Sequence, residues 1–132
     1  MRQNVWGNYM VKEVEEPRDP TAQYVGAERK RLEKRFEGML NAHAILAMMS
    51  MKNRVQDSGG YVALERVTGT LDGKKGSFCL QHCCTFDMGV KTLDIQVIPD
   101  SGTEALTGLR GNMQLDLDKK GQHFYIFDFD FS

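Results

Sequence analysis

From Tyr125 to Phe131 aromatic rings recur at every second position. Tyr125, Phe127, Phe129 and Phe131 fall on one side, Asp128 and Asp130 on the other. A strand with one apolar and one wet face satisfies that period of two, whereas a helix would scatter the rings around its circumference. The same alternation places Leu93, Ile95 and Val97 against Thr92, Asp94 and Gln96, and Met113, Leu115 and Leu117 against Gln114, Asp116 and Asp118. Glycines, 13 in all, lie between such segments and suit tight turns. Pro99 cannot donate to a sheet ladder and marks the end of the strand before it. An all-β chain follows, and 132 residues are expected to form a single domain, 1–132.

The clearest strand pair runs from Tyr61 to Leu71 and from Gly76 to Phe86. Gly73-Lys74 suits a two-residue type II′ turn, which wants glycine first. That turn predicts Leu71 opposite Gly76, Gly69 opposite Phe78, Val67 opposite Leu80 and Glu65 opposite His82. One face of the hairpin then carries Tyr61, Ala63, Glu65, Val67, Leu71, Phe78, Leu80, His82, Cys84 and Phe86. The other carries Arg66, Thr68, Thr70, Ser77, Gln81 and Thr85 among its members. Such sorting specifies the inner face, since a one-residue slip would mix the two sets.

Two segments read differently. Ser101, followed three residues later by Glu104, is a capping-box pattern, so one short helical turn is expected near 101–107, with Gly108 ending it. Ala27 to Asn53 is rich in Ala, Arg, Lys, Glu, Leu and Met, whose propensity favours helix. A strand reading also exists there, with Lys30, Leu32, Lys34 and Phe36 facing opposite Arg29, Arg31, Glu33 and Arg35.

Seventeen basic and 18 acidic side chains leave a net charge of -1, which supplies no general attraction to nucleic acid or an anionic membrane. The basic cluster Arg29, Lys30, Arg31, Lys34 and Arg35 is interleaved with Glu28, Glu33 and Glu37, and reads as a solvated strand face. The apolar run Ala44 to Met49 is too short to cross a bilayer, and Met1 to Tyr9 lacks the apolar stretch of a secretory leader. A cytoplasmic location is therefore expected, with the three cysteines as reduced thiols. Cys83 and Cys84 are adjacent on a strand and point to opposite faces, so they cannot readily share a metal ion. Nucleotide-binding glycine loops and serine-nucleophile elbows are absent, and neither cofactor nor metal is expected.

Several stretches in combination carry a resemblance. Val62-Ala63-Leu64-Glu65-Arg66-Val67-Thr68-Gly69-Thr70-Leu71-Asp72-Gly73 and Gly76-Ser77-Phe78-Cys79-Leu80-Gln81-His82 are similar to one signature of an uncharacterised family of small bacterial proteins, a domain of unknown function. Val97-Ile98-Pro99-Asp100-Ser101-Gly102-Thr103-Glu104 and Leu106-Thr107-Gly108-Leu109-Arg110-Gly111 resemble a second. Members of that family resemble allene oxide cyclase in fold. The resemblance implies a closed eight-stranded antiparallel barrel and makes Ala27 to Asn53 two strands. Cys84 departs from it, standing where the family usually has a glycine.

Within such a barrel Glu65 and His82 would lie side by side on the apolar face. A desolvated carboxylate beside an imidazole is an acid/base unit, or a structural pair in which each group satisfies the other. Tyr61, Val67, Phe78, Leu80, Cys84 and Phe86 are the expected lining of an internal cavity. Met39, Met48, Met49, Met51, Met88 and Met113 suit either a core or an adaptable cavity wall. Three functions fit. The first is a barrel binding a small, largely apolar ligand. The second is a cofactor-free isomerase or cyclase using Glu65 and His82, and the third a non-catalytic interaction protein with a filled core. Apolar side chains left on the outside would pair two subunits, so a homodimer is expected.

Overall fold

A computed structural model describes residues 2–132. The alternating segments form β1 (Gln3–Val14), β2 (Glu28–Phe36), β3 (Leu40–Lys52), β4 (Gly59–Leu71), β5 (Lys74–Asp87), β6 (Val90–Val97), β7 (Leu109–Leu117) and β8 (His123–Phe131). Each strand pairs antiparallel with the next, and β8 returns to β1 to close the barrel. Closure matters because it removes the free sheet edges that would otherwise template pairing with other chains.

Ala27 to Asn53 is extended against its helix propensity. β2 and β3 pair from Glu28–Ser50 to Phe36–Ala42, and Leu40, Ala42, Ala44 and Leu46 alternate inward, all buried. Burying that face outweighs a preference worth only tenths of a kcal/mol per residue. A one-turn helix, α1 (Pro20–Tyr24), went unread in the sequence. Asp19 caps it, accepting from the Thr21 and Ala22 N–H groups at 2.9 and 3.2 Å, and pairs with Arg29 at 3.2 Å. Aspartate followed by proline at the first helical position was the available signal.

Two local expectations need correction. The β4–β5 turn is Asp72-Gly73, not Gly73-Lys74. Both central residues have positive φ (50° and 77°), the type I′ geometry that Asp-Gly favours in hairpins. Leu71 therefore faces Lys74, Val67 faces Phe78 and Glu65 faces Leu80, with His82 opposite Ala63. The register is displaced by two residues, which leaves every side chain on the face assigned to it. Ser101 does not cap a helix. The helical turn is a 3₁₀ segment, η1 (Glu104–Leu106), that begins after Thr103. Ser101 Oγ instead accepts from Cys79 N–H at 3.0 Å, and Thr103 Oγ1 accepts from Ser77 N–H at 3.0 Å. These hydroxyls satisfy β5 beyond the end of β6, where Pro99 stops the ladder.

The strands carry the interior in two layers. At the end where β8 finishes, Phe78, Phe127 and Phe129 stack in series with ring centroids 5.6 and 5.2 Å apart. Leu71, Leu109 and Leu106 of η1 pack into the same buried cluster. Phe36 meets the Tyr125 ring edge-on at 5.4 Å. Tyr125 Oη donates to the Glu37 carbonyl at 2.8 Å and accepts from Leu40 N–H at 3.3 Å, tying the β2–β3 turn to β8. Gly7 makes room for this junction. A Cβ there would lie 2.1 Å from the Glu37 oxygen and 2.8 Å from Tyr125 Oη. This half of the barrel is solid.

The opposite half is open. β6 and β7 share a single matched pair, Gln96–Asn112, while β3 and β4 pair along their whole lengths. Above that pair the wall between Leu93 and Leu115 is not laddered.

Candidate functional site

Above the aromatic plug lies a cup of about 350 Å³ lined by Tyr9, Leu32, Lys34, Leu46, Met48, Tyr61, His82, Leu93, Leu115 and His123, among others. All eight strands contribute to this lining, and the residues just named occupy inward positions of the two-residue period. A wider hollow of about 730 Å³ adjoins its mouth, sharing Met48 and Tyr61 and bounded by Gly59, Gly60 and Phe86. The cup also touches the β6–β7 seam, where Leu93, Leu115 and Asp116 border a further cavity of about 320 Å³ that opens on the outer face. A shallow groove of about 410 Å³ between Met10, Lys12, Arg35, His43 and Ile45 is separate from these, on the outside of β1, β2 and β3.

Three ionisable side chains are withdrawn from water at the floor of the cup. Lys34, Glu65 and His82 are 6, 1 and 2% exposed. His82 Nε2 lies 2.7 Å from Glu65 Oε1, and Lys34 Nζ lies 3.4 Å from the same oxygen. The Glu65 carboxylate accepts in this contact, so His82 donates from Nε2, and no side chain or backbone group among the described residues bonds its Nδ1. The ammonium also sits over the faces of Tyr9 and Phe36, 5.5 and 6.0 Å from the ring centroids. Glu65 Oε2 is buried and has no hydrogen-bond partner among the described residues.

The surroundings hold phenols neutral. Burial raises Tyr9 to about 12, helped by the negative charges of Glu65 and Asp116. Burial likewise raises Tyr61, with Cys84, Tyr9 and Glu65 adding to the effect. The Cys84 thiol is pushed up chiefly by its own desolvation. Both phenols and the thiol are therefore uncharged at neutral pH.

Glu65 and His82 hydrogen-bond inside the barrel, two positions off the directly opposed arrangement, because a diagonal pair on one sheet face is still within reach of long side chains. Of the residues expected to line a cavity, Tyr61 does so and Phe86 borders the outer hollow. Val67, Phe78 and Leu80 instead belong to the solid half. Cys84 is buried beside its strand partner Tyr61, on a β5 that runs uninterrupted from Lys74 to Asp87. Arg66 is exposed on the outside, as its face assignment requires.

Lys34 corrects the reading of the basic cluster as a solvated face. Its neighbours do serve surface pairs, Arg31 with Glu33 at 3.0 Å and Lys30 with Glu13 at 3.8 Å, but Lys34 is turned into the barrel. The signal was its place between Leu32 and Phe36 in the alternation of β2. His123 also reaches the cup, tilted against Tyr9 at 5.1 Å. Cys79, Cys83 and Cys84 are unbridged. Among the described residues, no three His, Cys, Asp or Glu side chains are grouped to hold a metal ion, and no helix is long and apolar enough to cross a membrane.

Fold and site together define a small meander β-barrel whose interior is half filled and half open, with a buried charged cluster between the halves. The chain belongs to the family described as "Protein of unknown function (DUF3224)", which its residues 5–129 match. A crystal structure of a protein of unknown function from that family, from Shewanella oneidensis MR-1, is 38% identical, with 100% of this chain and 99% of that chain covered and a TM-score of 0.90. No curated protein matches the chain.

Proposed function

We propose that the barrel binds a small, largely apolar molecule in its open half. The observation that carries this reading is the division of the interior: aromatic side chains fill one half, and a cup of about 350 Å³ occupies the other. Ligand sites range over roughly 300–1,000 Å³, so the cup suits a compact molecule at the small end of that range. Its walls are mostly aliphatic and aromatic, with Lys34 and His82 at the floor and Lys91 and Asp116 elsewhere on the lining, which resembles the way ligand pockets combine apolar area with a few orienting polar atoms.

N-phenyl-1-naphthylamine, a neutral dye that fluoresces when removed from water, tests the reading. Saturable binding to one site per chain is expected, weakened at least about tenfold when Leu93→Trp fills the cup from its wall. Absence of saturable binding to the folded wild-type protein would overturn it.

A second reading is favoured by His82. Held by Glu65 through Nε2, the imidazole keeps Nδ1 free on a ring that lines the cup, the arrangement of a base oriented by a carboxylate. A cofactor-free isomerase moving a proton within its ligand would use His82 as the base and Glu65 as its positioning residue. Once a ligand is known, its conversion by the wild-type protein, lost in His82→Gln with binding retained, separates catalysis from binding alone.

A further inference from the structure

Resting on the reading of the cup as a ligand site, we propose that its floor recognises a hydroxyl group on an otherwise apolar, phenol- or alcohol-class molecule, with Lys34 donating to the hydroxyl oxygen. The charged cluster is incomplete as it stands. An ammonium carries three N–H donors, yet Lys34 makes a single long hydrogen bond, 3.4 Å to Glu65 Oε1. On the acceptor side, Glu65 Oε2 is buried without a donor, and His82 Nδ1 is unused once Nε2 has bonded the carboxylate. Buried polar atoms left unpaired are costly, so a head group able both to accept from Lys34 and to donate to His82, the two members of the cluster that line the cup, suits this floor best.

Head groups differ in whether they can do both. A carboxylate offers acceptors for Lys34 but places a second negative charge beside Glu65 in a desolvated site, and an ammonium places a second positive charge beside Lys34. Either would oppose a pair already matched one to one. An ether or ketone satisfies Lys34 and leaves the acceptors unpaired. A hydroxyl can accept from Lys34 Nζ and donate to the His82 imidazole, which lines the same cup, without adding charge. Lys34 and His82 both line the cup, with Glu65 bridging them through one oxygen, so the two roles are available side by side. Tyr9, Tyr61 and Leu46 supply flat and aliphatic walls above them for the apolar body.

Four probes sharing one ring system isolate the head group: 1-naphthol, naphthalene, 1-naphthoate and 1-naphthylmethylamine. Each is titrated at neutral pH into wild-type protein and into Lys34→Met, with folding verified by circular dichroism. In the wild type 1-naphthol is expected to bind at least about tenfold more tightly than the other three, the scale of one hydrogen bond to a charged group. In Lys34→Met its advantage over naphthalene should shrink to about threefold or less. Equal affinity of naphthol and naphthalene for the wild type, or tightest binding by the naphthoate or the amine, would overturn the head-group assignment and leave the cup as a binding site. Failure of all four to bind would remove the cup reading and this inference together. The wild-type series decides the matter even if Lys34→Met fails to fold.

Discussion

Lys34, Glu65 and His82 form a chain of interactions through one carboxylate oxygen, and burial makes each member dependent on the others. Breaking a buried ion pair by removing one partner leaves an uncompensated charge, at a cost of about 3–5 kcal/mol. Lys34→Met is expected to lower unfolding stability by that amount in urea titrations. The double variant Lys34→Met/Glu65→Gln should lose less, because no net charge is left buried and the introduced amide oxygen still accepts from His82. A single variant within about 0.5 kcal/mol of wild type would show that the cluster is not coupled in this way. Tyr9 gives a pH signature. Its proton is held to about 12, mainly by burial, against about 10 in an unfolded chain. Below about pH 10 both states keep the proton and the stability is fully present. Above it the unfolded chain releases its proton first, so stability falls by about 2–3 kcal/mol as pH rises toward about 12. Tyr61 and Tyr125 shift in the same direction. Urea midpoints measured between about pH 9 and 11.5 should decline, and less steeply in Tyr9→Phe, unless the phenol is already ionised in the native state.

Among the elements, β6 and β7 stand apart because their shared ladder has one matched pair. β6 is held along its other side by β5, from Leu80–Val97 to Asp87–Val90, and β7 by β8 over its whole length. The seam is therefore flanked by well-paired strands but weakly closed itself. Native-state hydrogen exchange should find amides of β7 from Met113 to Leu117 that point toward β6 exchanging far faster than those of β3 and β4. Uniform protection across all eight strands would contradict this. Leu93 and Leu115 at the seam also line the cup, so the weakly laddered segment forms part of its wall. The loop from Ile98 to Thr103 has the opposite character. It continues the pairing of β5 through Ile98 N–H to the Cys79 carbonyl at 2.8 Å and Thr103 N–H to the Ser77 carbonyl at 2.9 Å, and so places Leu106 against the solid end.

Over the whole molecule the two halves of the barrel differ in packing, one filled by aromatic side chains and the other left as a cup. Phe127 is fully buried between Phe78 and Phe129, and its replacement by alanine should cost about 3–5 kcal/mol through lost burial and the cavity left behind. Leu93→Ala, on a wall that already faces open space, should cost about 1 kcal/mol or less. Thermal unfolding of the two variants measures the contrast, and comparable losses would mean that the cup is packed shut in solution. The strands and their inner faces were legible in the sequence because side-chain direction alternates strictly with residue number. Rings at 125, 127 and 129 and acids at 128 and 130 settle which way β8 faces without reference to any other strand. The same rule put Glu65 and His82 on one face, and the two-residue error in the β4–β5 turn could not undo it. What alternation leaves open is the height of a residue in the barrel and the identity of its neighbours across closure. Those depend on the stagger of eight strands and on their return from β8 to β1. Tertiary structure alone therefore placed Val67, Phe78 and Leu80 in the plug and Tyr61 in the cup, and brought Lys34 of β2 across β3 to the carboxylate of β4. A period of two states which side a residue faces; only the closed sheet decides what it meets there.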